Sequence, residues 1–166
     1  MANSGAYRPI EVMCRAGAIA NCRHPAPVAN RMATGHRIVT TVLGALAPAA
    51  PERVPAAYYG VSYVMTLQAP DPIVEGETRV YFVVEVGGWG GHPEQDGADG
   101  FSCGFHNLAN SPIEMCEVLF PITFTEYGFI PGSGGDGQHR GGLGLGREWR
   151  LDADWGLVSG SFERFR

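Results

Sequence analysis

Residues 79–100 read RVYFVVEVGGWGGHPEQDGADG, and the change of pattern inside this stretch decides the fold. From Arg79 to Val86 the residues alternate, with Val80, Phe82, Val84 and Val86 on one side and Tyr81, Val83 and Glu85 on the other. A two-residue period in β-branched and aromatic residues predicts a strand. That strand runs straight into a glycine-dense loop, Val86–Gly100. A second run, Pro131–Arg147 (PGSGGDGQHRGGLGLGR), holds eight glycines in seventeen residues. Between them, residues 87–146 carry 16 of the chain's 24 glycines. Ordering glycine costs more entropy than ordering any other residue, so a fold concentrates it where backbone needs positive φ or close approach. Two such runs on one short chain predict a site built from main-chain groups.

Outward from this pair, the clearest helix covers 31–47. Ile38, Val42, Ala45 and Leu46 share one face at a 3.6-residue period, Thr34 is an N-cap candidate, and Pro48 and Pro51 end the helix. Upstream, Ile10–Cys14 reads as a short strand before a turn at Gly17. Tyr58–Leu67 reads as a strand ending in the turn-rich Gln68–Gly76, and Glu117–Ile130 as one or two strands around Pro121. Leu145–Leu151 and Gly156–Phe165 are expected to pair as a hairpin across Asp152–Trp155. The fold class is therefore α+β: a mixed, mainly antiparallel sheet with one principal helix packed on it, and glycine-rich loops. The final residues SGSFERFR read as strand without a cap or polar tail, as expected of a piece of a longer polypeptide.

The 166 residues suit a single domain. Charged residues make up 17% of the chain, against about 25% in an ordinary globular domain, which hints at surface covered by a partner. A formal net charge of −5 gives no support for nucleic-acid or membrane-surface partners. All 12 basic residues are arginine, so no GxxxxGK[ST] phosphate loop exists. Gly132–Gly137 fits GxGxxG formally. The dinucleotide fingerprint needs a helix next, and QHRGGLGLGREW is too rich in glycine to form one. The four cysteines, 14, 22, 103 and 116, form no CxxC pair, and no leader or membrane span is evident, so free thiols in a cytoplasmic protein are expected.

Three constellations carry chemistry. His139 and Arg140 sit mid-run in the second glycine stretch, either presented to an anionic or amide ligand or with Arg140 tying the loop to a carboxylate such as Glu148 or Asp136. His92, Glu94, Asp96 and Asp99 follow Trp89 on the first, as an acid–base or divalent-ion cluster or as a solvated turn. Cys103, His106 and Cys116 supply soft metal ligands but only one CxxH pair, with Cys22 and His24 wrongly spaced for a second knuckle. Buried thiols and an ordinary histidine are the reading preferred there, and no metal is assigned to this chain.

Five segments in order then form a specific pattern: Tyr7-Arg-Pro-Ile-Glu-Val, Pro51-Glu-Arg-Val-Pro-Ala-Ala after the helix, Gly87-Gly-Trp-Gly-Gly, Asn110-Ser-Pro-Ile-Glu, and Ser133-Gly-Gly-Asp-Gly-Gln-His-Arg-Gly-Gly-Leu-Gly. With these the chain resembles the C-terminal portion of hydantoinase B, the B-type subunit of N-methylhydantoinase and 5-oxoprolinase, related to acetone and acetophenone carboxylase subunits. The resemblance implies a B-type subunit of an ATP-dependent cyclic-amide hydrolase. An A-type, actin-like ATPase partner would use ATP and Mg, and no cofactor is expected on this chain. In the family an N-terminal half with an Asn-Asp-Pro segment precedes this portion, and in the carboxylase branch its acidic and histidine residues hold a divalent metal; no such segment occurs here. The family usually has aspartate where this chain has Gly132.

The expected partners are the A-type subunit, the remaining B-subunit polypeptide and, as an open option, a second copy of the chain. The catalytic residues are unknown. Substrate contacts are assigned to Gly88, Trp89, Gly90, His92 and Asp99 on the first loop, and to Gly134, Gly135, His139 and Arg140 on the second. Two alternatives stand beside the hydrolase reading: a non-catalytic assembly module or remnant, and the small subunit of a ketone carboxylase.

Overall fold

In the computed structural model the described residues are 10–102, 106 and 108–162, together with Gly5 and Arg8. Helix α1 spans Arg31–Leu46. It is followed by β1 (Tyr63–Pro70), β2 (Thr78–Glu85), a short helix α2 (Ile113–Leu119), β3 (Ile122–Phe129), β4 (Leu145–Leu151) and β5 (Leu157–Ser161). The strands form two antiparallel sheets, one of three strands in the order β2-β1-β5 and one of β3 with β4. The α+β class and the antiparallel character are as expected. No helix among the described residues is long and apolar enough to cross a membrane.

The β1–β2 hairpin turns where the sequence places its turn residues. Asp71 accepts the N–H groups of Ile73 and Val74 on one carboxylate oxygen, at 2.8 and 3.1 Å. Its other oxygen holds Arg79 at 2.7 Å, and Gly76 takes φ +81°. This Asx-type closure fixes the register from Tyr63↔Glu85 to Pro70↔Thr78. Of the two faces of β2, Tyr81 and Val83 are buried, whereas Val80 and Phe82 stay more than half exposed. The core joins them to Leu67, Ala69, Cys116 and Ile122, with Phe120, Phe124, Trp149 and Leu151 packed around.

Four local expectations are corrected. Ile10–Cys14 forms no strand; its side chains are exposed and no neighbouring strand pairs with it. Residues 113–119 are helical, so only one strand, β3, follows Pro121. Pro112, extended at φ −55° and ψ 136°, launches the helix, and Glu114 lies in its first turn. The expected β4–β5 hairpin does not form, because β4 pairs with β3 and β5 with β1. Residues 152–156 carry the chain from one sheet to the other. Asp152 N–H donates to Pro121 C=O at 2.8 Å, and Gly156 threads between Leu67 and Leu151, where a Cβ would strike both side chains. Residues 163–166 lie outside the described set.

The fourth correction concerns α1. Its bounds match, but Asn30 occupies the N-cap position, without a side-chain capping bond, instead of Thr34. The apolar stripe Ile38, Val42 and Leu46 is about half exposed. The buried side is centred on His36, at 1% exposure, and faces the segment that leads into β1. Tyr58 Oη donates to His36 C=O at 3.3 Å and accepts from Thr40 Oγ1 at 3.1 Å. Polar partners thus set the docking of α1, and its apolar stripe turns outward.

Candidate functional site

Three stretches of backbone interlock beside β2: residues 56–59, 87–100 and 133–144. Trp89 N–H donates to Ala98 C=O at 3.0 Å, and Gly142 N–H to Trp89 C=O at 2.7 Å. Gly97 N–H reaches Arg140 C=O and Gly100 N–H reaches Leu143 C=O, both at 2.8 Å. The 56–59 segment joins through Ala56 N–H to Gly91 C=O at 2.9 Å and Tyr59 N–H to Gly88 C=O at 3.2 Å. A Cβ on Gly88 would land on the carbonyl of Gly142, and one on Gly142 on the carbonyl of Ala98. Neither glycine has positive φ, so close approach of backbone to backbone is what demands glycine at these positions.

Between these stretches lies a cleft of about 360 Å³ lined by Tyr59, Gly88, Trp89, Gly90, Gly135 and His139, among others. The N–H groups of Gly88, Gly91 and Gly135 on its wall donate to no acceptor among the described residues. The Trp89 indole N–H is spent on Ser102 C=O at 3.1 Å, and its ring lies against Tyr58 and Phe101. The structure brings Gly88, Trp89, Gly90, Gly135 and His139 to the lining of one cleft. Gly134 lies in the interlock behind them, with the Gly141 carbonyl where its Cβ would be.

Arg140 and Asp99 act on each other. The Arg140 guanidinium is bidentate on Asp99, at 2.7 and 3.1 Å, and Asp99 also accepts Leu143 N–H at 2.7 Å. Asp96 takes Arg140 N–H at 3.0 Å and lies 3.7 Å from His139 Nδ1. The loop is thus tied to a carboxylate, but to Asp99 and Asp96, not to Glu148 or Asp136. The bond from Arg140 and the Leu143 N–H hold the Asp99 carboxyl below its ordinary range. Glu148 instead accepts from Thr125. His92 takes part in a turn through its N–H to Gln95 C=O at 2.8 Å, and Glu94 is exposed. Cys116 lies in the core, Cys22 and His24 are exposed, and Cys103 is outside the described residues.

A family model for hydantoinase B/oxoprolinase matches residues 1–166. The chain belongs to the hydantoinase B/oxoprolinase family. It is 32% identical to the B subunit of a putative D-/L-hydantoinase from Pseudomonas sp. (strain NS671), over 92% of this chain and 25% of that protein. It is 33% identical to the beta subunit of caprolactamase from Pseudomonas jessenii, over 86% of this chain and 25% of the other. Similarity extends to 5-oxoprolinase 1 of Arabidopsis thaliana, at 28% identity over 88% of this chain and 11% of that one. The chain spans about a quarter of the length of the two bacterial relatives.

Two further clusters in this family member went unnoticed in the sequence. Beneath the cleft, Arg147 Nε of β4 lies 2.7 Å from Glu85 Oε1 of β2, with side-chain exposures of 9% and 17%. The approach is close but misaligned, so the two atoms form an ion pair without making a good hydrogen bond. Burial pushes the Glu85 carboxyl up, and Arg147 counters part of that. Arg147 also donates to Tyr81 Oη at 3.3 Å and stacks over the Tyr127 ring. The signal was present: Glu85 shares the inward face of β2 with Tyr81 and Val83. The second cluster, His36 with His106 and Ser62, joins residues 26 to 70 positions apart, and no spacing rule detects it.

Proposed function

We propose that this chain is the substrate-side portion of a B-type subunit in an ATP-dependent hydrolase of cyclic amides, the ATP being used by a separate A-type partner. Family membership supports the reading, as do the subunit names of the bacterial relatives and the cyclic amides named in caprolactamase and 5-oxoprolinase. The observation that carries it is the cleft wall of uncommitted Gly88, Gly91 and Gly135 N–H groups with His139 beside them. Backbone donors fixed by an interlock need no reorganisation to donate to a carbonyl oxygen that gains charge, the condition for oxyanion stabilisation. Lysine is absent, so these residues form no P-loop, in keeping with ATP being used by a separate partner. The remaining B-subunit polypeptide would supply the chemistry these residues do not.

The second reading, an assembly module without turnover, draws on one finding: Arg140 and Asp99, the most strongly polar pair at the site, are spent on each other. The test is hydrolysis of hydantoin, 5-oxoproline and caprolactam with ATP, by the chain alone, with an A-type partner, and with the partner plus the rest of a B-type polypeptide. The hydrolase reading expects turnover only in the last mixture, and loss of it when this chain is omitted. Turnover unaffected by omitting this chain would leave the assembly reading standing.

A further inference from the structure

Helix α1 and the segment before it present apolar surface that the rest of the chain leaves uncovered. A helix of 16 residues is marginal by itself in water and draws its stability from packing one face. Among the described residues, α1 makes no substantial contact with any strand or with α2. Polar contacts of His36, Thr40 and Tyr58 hold it, while Ile38, Val42 and Leu46 stay about half exposed. Residues 10–30 are more open still. Only Ala18 and Ala26 are half-buried there, and Val12, Met13 and Ile19 are 84–85% exposed. Local bonds shape this segment, such as Gly17 N–H to Asn21 C=O at 2.8 Å and the Asn21 amide to Cys14 C=O at 2.9 Å. They do not offset the entropy of ordering so long a stretch.

The two elements enclose a groove of about 700 Å³, lined by Ile19, Cys22, Val28, Arg31, Ala33 and Ile38, among others. Charge marks the same part of the chain. Residues 1–56 hold six arginines against two glutamates, whereas residues 57–166 hold six arginines against fifteen carboxylates. Arg15, Arg23 and Arg31 are exposed and form no ion pair among the described residues. An apolar groove with arginines beside it fits a partner whose apolar surface carries carboxylates. The bacterial relatives indicate which partner: this chain matches about a quarter of each, and the rest of such a subunit lies outside the match.

We propose that this groove and the outward stripe of α1 dock the rest of the B-type polypeptide, through a surface of it that is apolar and acid-bearing. Tyr58 links the two faces of the molecule. Its hydroxyl bonds α1 and its ring lies against Trp89, so docking on α1 bears on the cleft wall. The proposal rests on reading this chain as one portion of a B-type subunit, and is independent of the chemistry at the cleft.

The chain carries its own reporters: Cys22 lines the groove and is exposed, whereas Cys116 is buried in the core. Iodoacetamide labelling, read by peptide mass, is compared for the chain alone and for the chain mixed with the Pseudomonas sp. hydantoinase B subunit lacking its matched quarter. A complex is expected in which Cys22 labels at least about tenfold more slowly, with Cys116 unlabelled throughout. Ile38→Glu with Val42→Glu, and separately Arg23→Glu with Arg31→Glu, should each weaken the complex at least about tenfold. Val118→Glu, exposed on α2, should leave it unchanged. Should the shortened subunit fail to fold, the chain is grafted in place of the matched quarter, and Cys22 protection is read in that full-length chimera. Cys22 that stays reactive in both the mixture and the chimera overturns the proposal, as does a loss in Val118→Glu equal to that on α1. Protection of Cys22 by a second copy of the chain, or by phosphatidylglycerol vesicles, with no further effect of the subunit also overturns it. Protection without cyclic-amide turnover leaves the docking face standing and tells against the reading of the cleft; turnover with Cys22 reactive does the reverse.

Discussion

Placing a methyl group at Gly88 or Gly142 tests whether the glycine stretches serve close packing. The Gly88→Ala methyl would meet the Gly142 carbonyl, and the Gly142→Ala methyl the Ala98 carbonyl. Both obstacles are backbone and cannot swing aside as a side-chain end can. Relief opens the rungs Trp89 N–H to Ala98 C=O and Gly142 N–H to Trp89 C=O. Losing two such bonds costs about 1 kcal/mol each. Overpacking that cannot relax adds about 1–3 kcal/mol. The sum is about 3–5 kcal/mol, and at about 2–4 °C per kcal/mol for a chain of this size Tm should fall by roughly 6–20 °C. Gly135→Ala is the matched control, because nothing lies within 4 Å of its Cβ and its φ is not positive. It should stay within about 1 kcal/mol of the parent, on the stabilising side. The assay is thermal and urea unfolding of the purified chains. Gly88→Ala or Gly142→Ala melting within 2–3 °C of Gly135→Ala, to use roughly the shift of one kcal/mol, would refute the reasoning.

Other expectations follow from the same packing. Arg147→Ala leaves the Glu85 carboxylate buried without its partner and should cost about 3 kcal/mol in urea unfolding; Arg147→Met with Glu85→Gln should recover most of it. Leu67→Ala, at 1% exposure in the core, should cost about 2–5 kcal/mol, seen as a lower urea midpoint at unchanged slope. The Asp71 and Asp99 carboxyls titrate below the ordinary value of 3.8, so each adds stability that is full above that pH and lost as pH falls through the lower folded value. Acid titration followed by Trp89 fluorescence should show the glycine interlock loosening only below about pH 4, and Asp99→Asn should abolish that part of the transition. Gly44→Ala, in open space on α1, should stabilise the chain by the helix-propensity gain of about 1 kcal/mol, read as a higher Tm.

What the sequence revealed and what it hid divide along physical lines. The β2 strand, the Asp71 turn and the bounds of α1 depend on local periodicity and turn chemistry, and all three were legible. The exposed side of α1 was misjudged because Ile38, Val42 and Leu46 outscore His36 in hydropathy, whereas docking follows the hydrogen bonds of His36 and Thr40. The β4–β5 hairpin was the nearest pairing along the chain, and it lost to β1, whose edge accepts Leu157–Ser161. The glycine runs pointed to backbone in unusual company, and the interlock of 87–100 with 133–144 is that. Only the structure revealed that Gly88 and Gly142 serve close approach, since the carbonyls they accommodate come from distant segments. Arg140 looked like a ligand contact because its carboxylate partner, Asp99, is 41 residues away.

The most direct test of the cleft is residue-resolved amide NMR of the chain titrated with 5-oxoproline, hydantoin and caprolactam, with and without an A-type partner. The account predicts perturbations centred on the Gly88, Gly91, Gly135 and His139 amides, larger for the lactams than for their ring-opened acids. Shifts confined to other surfaces, or none in either condition, would contradict it.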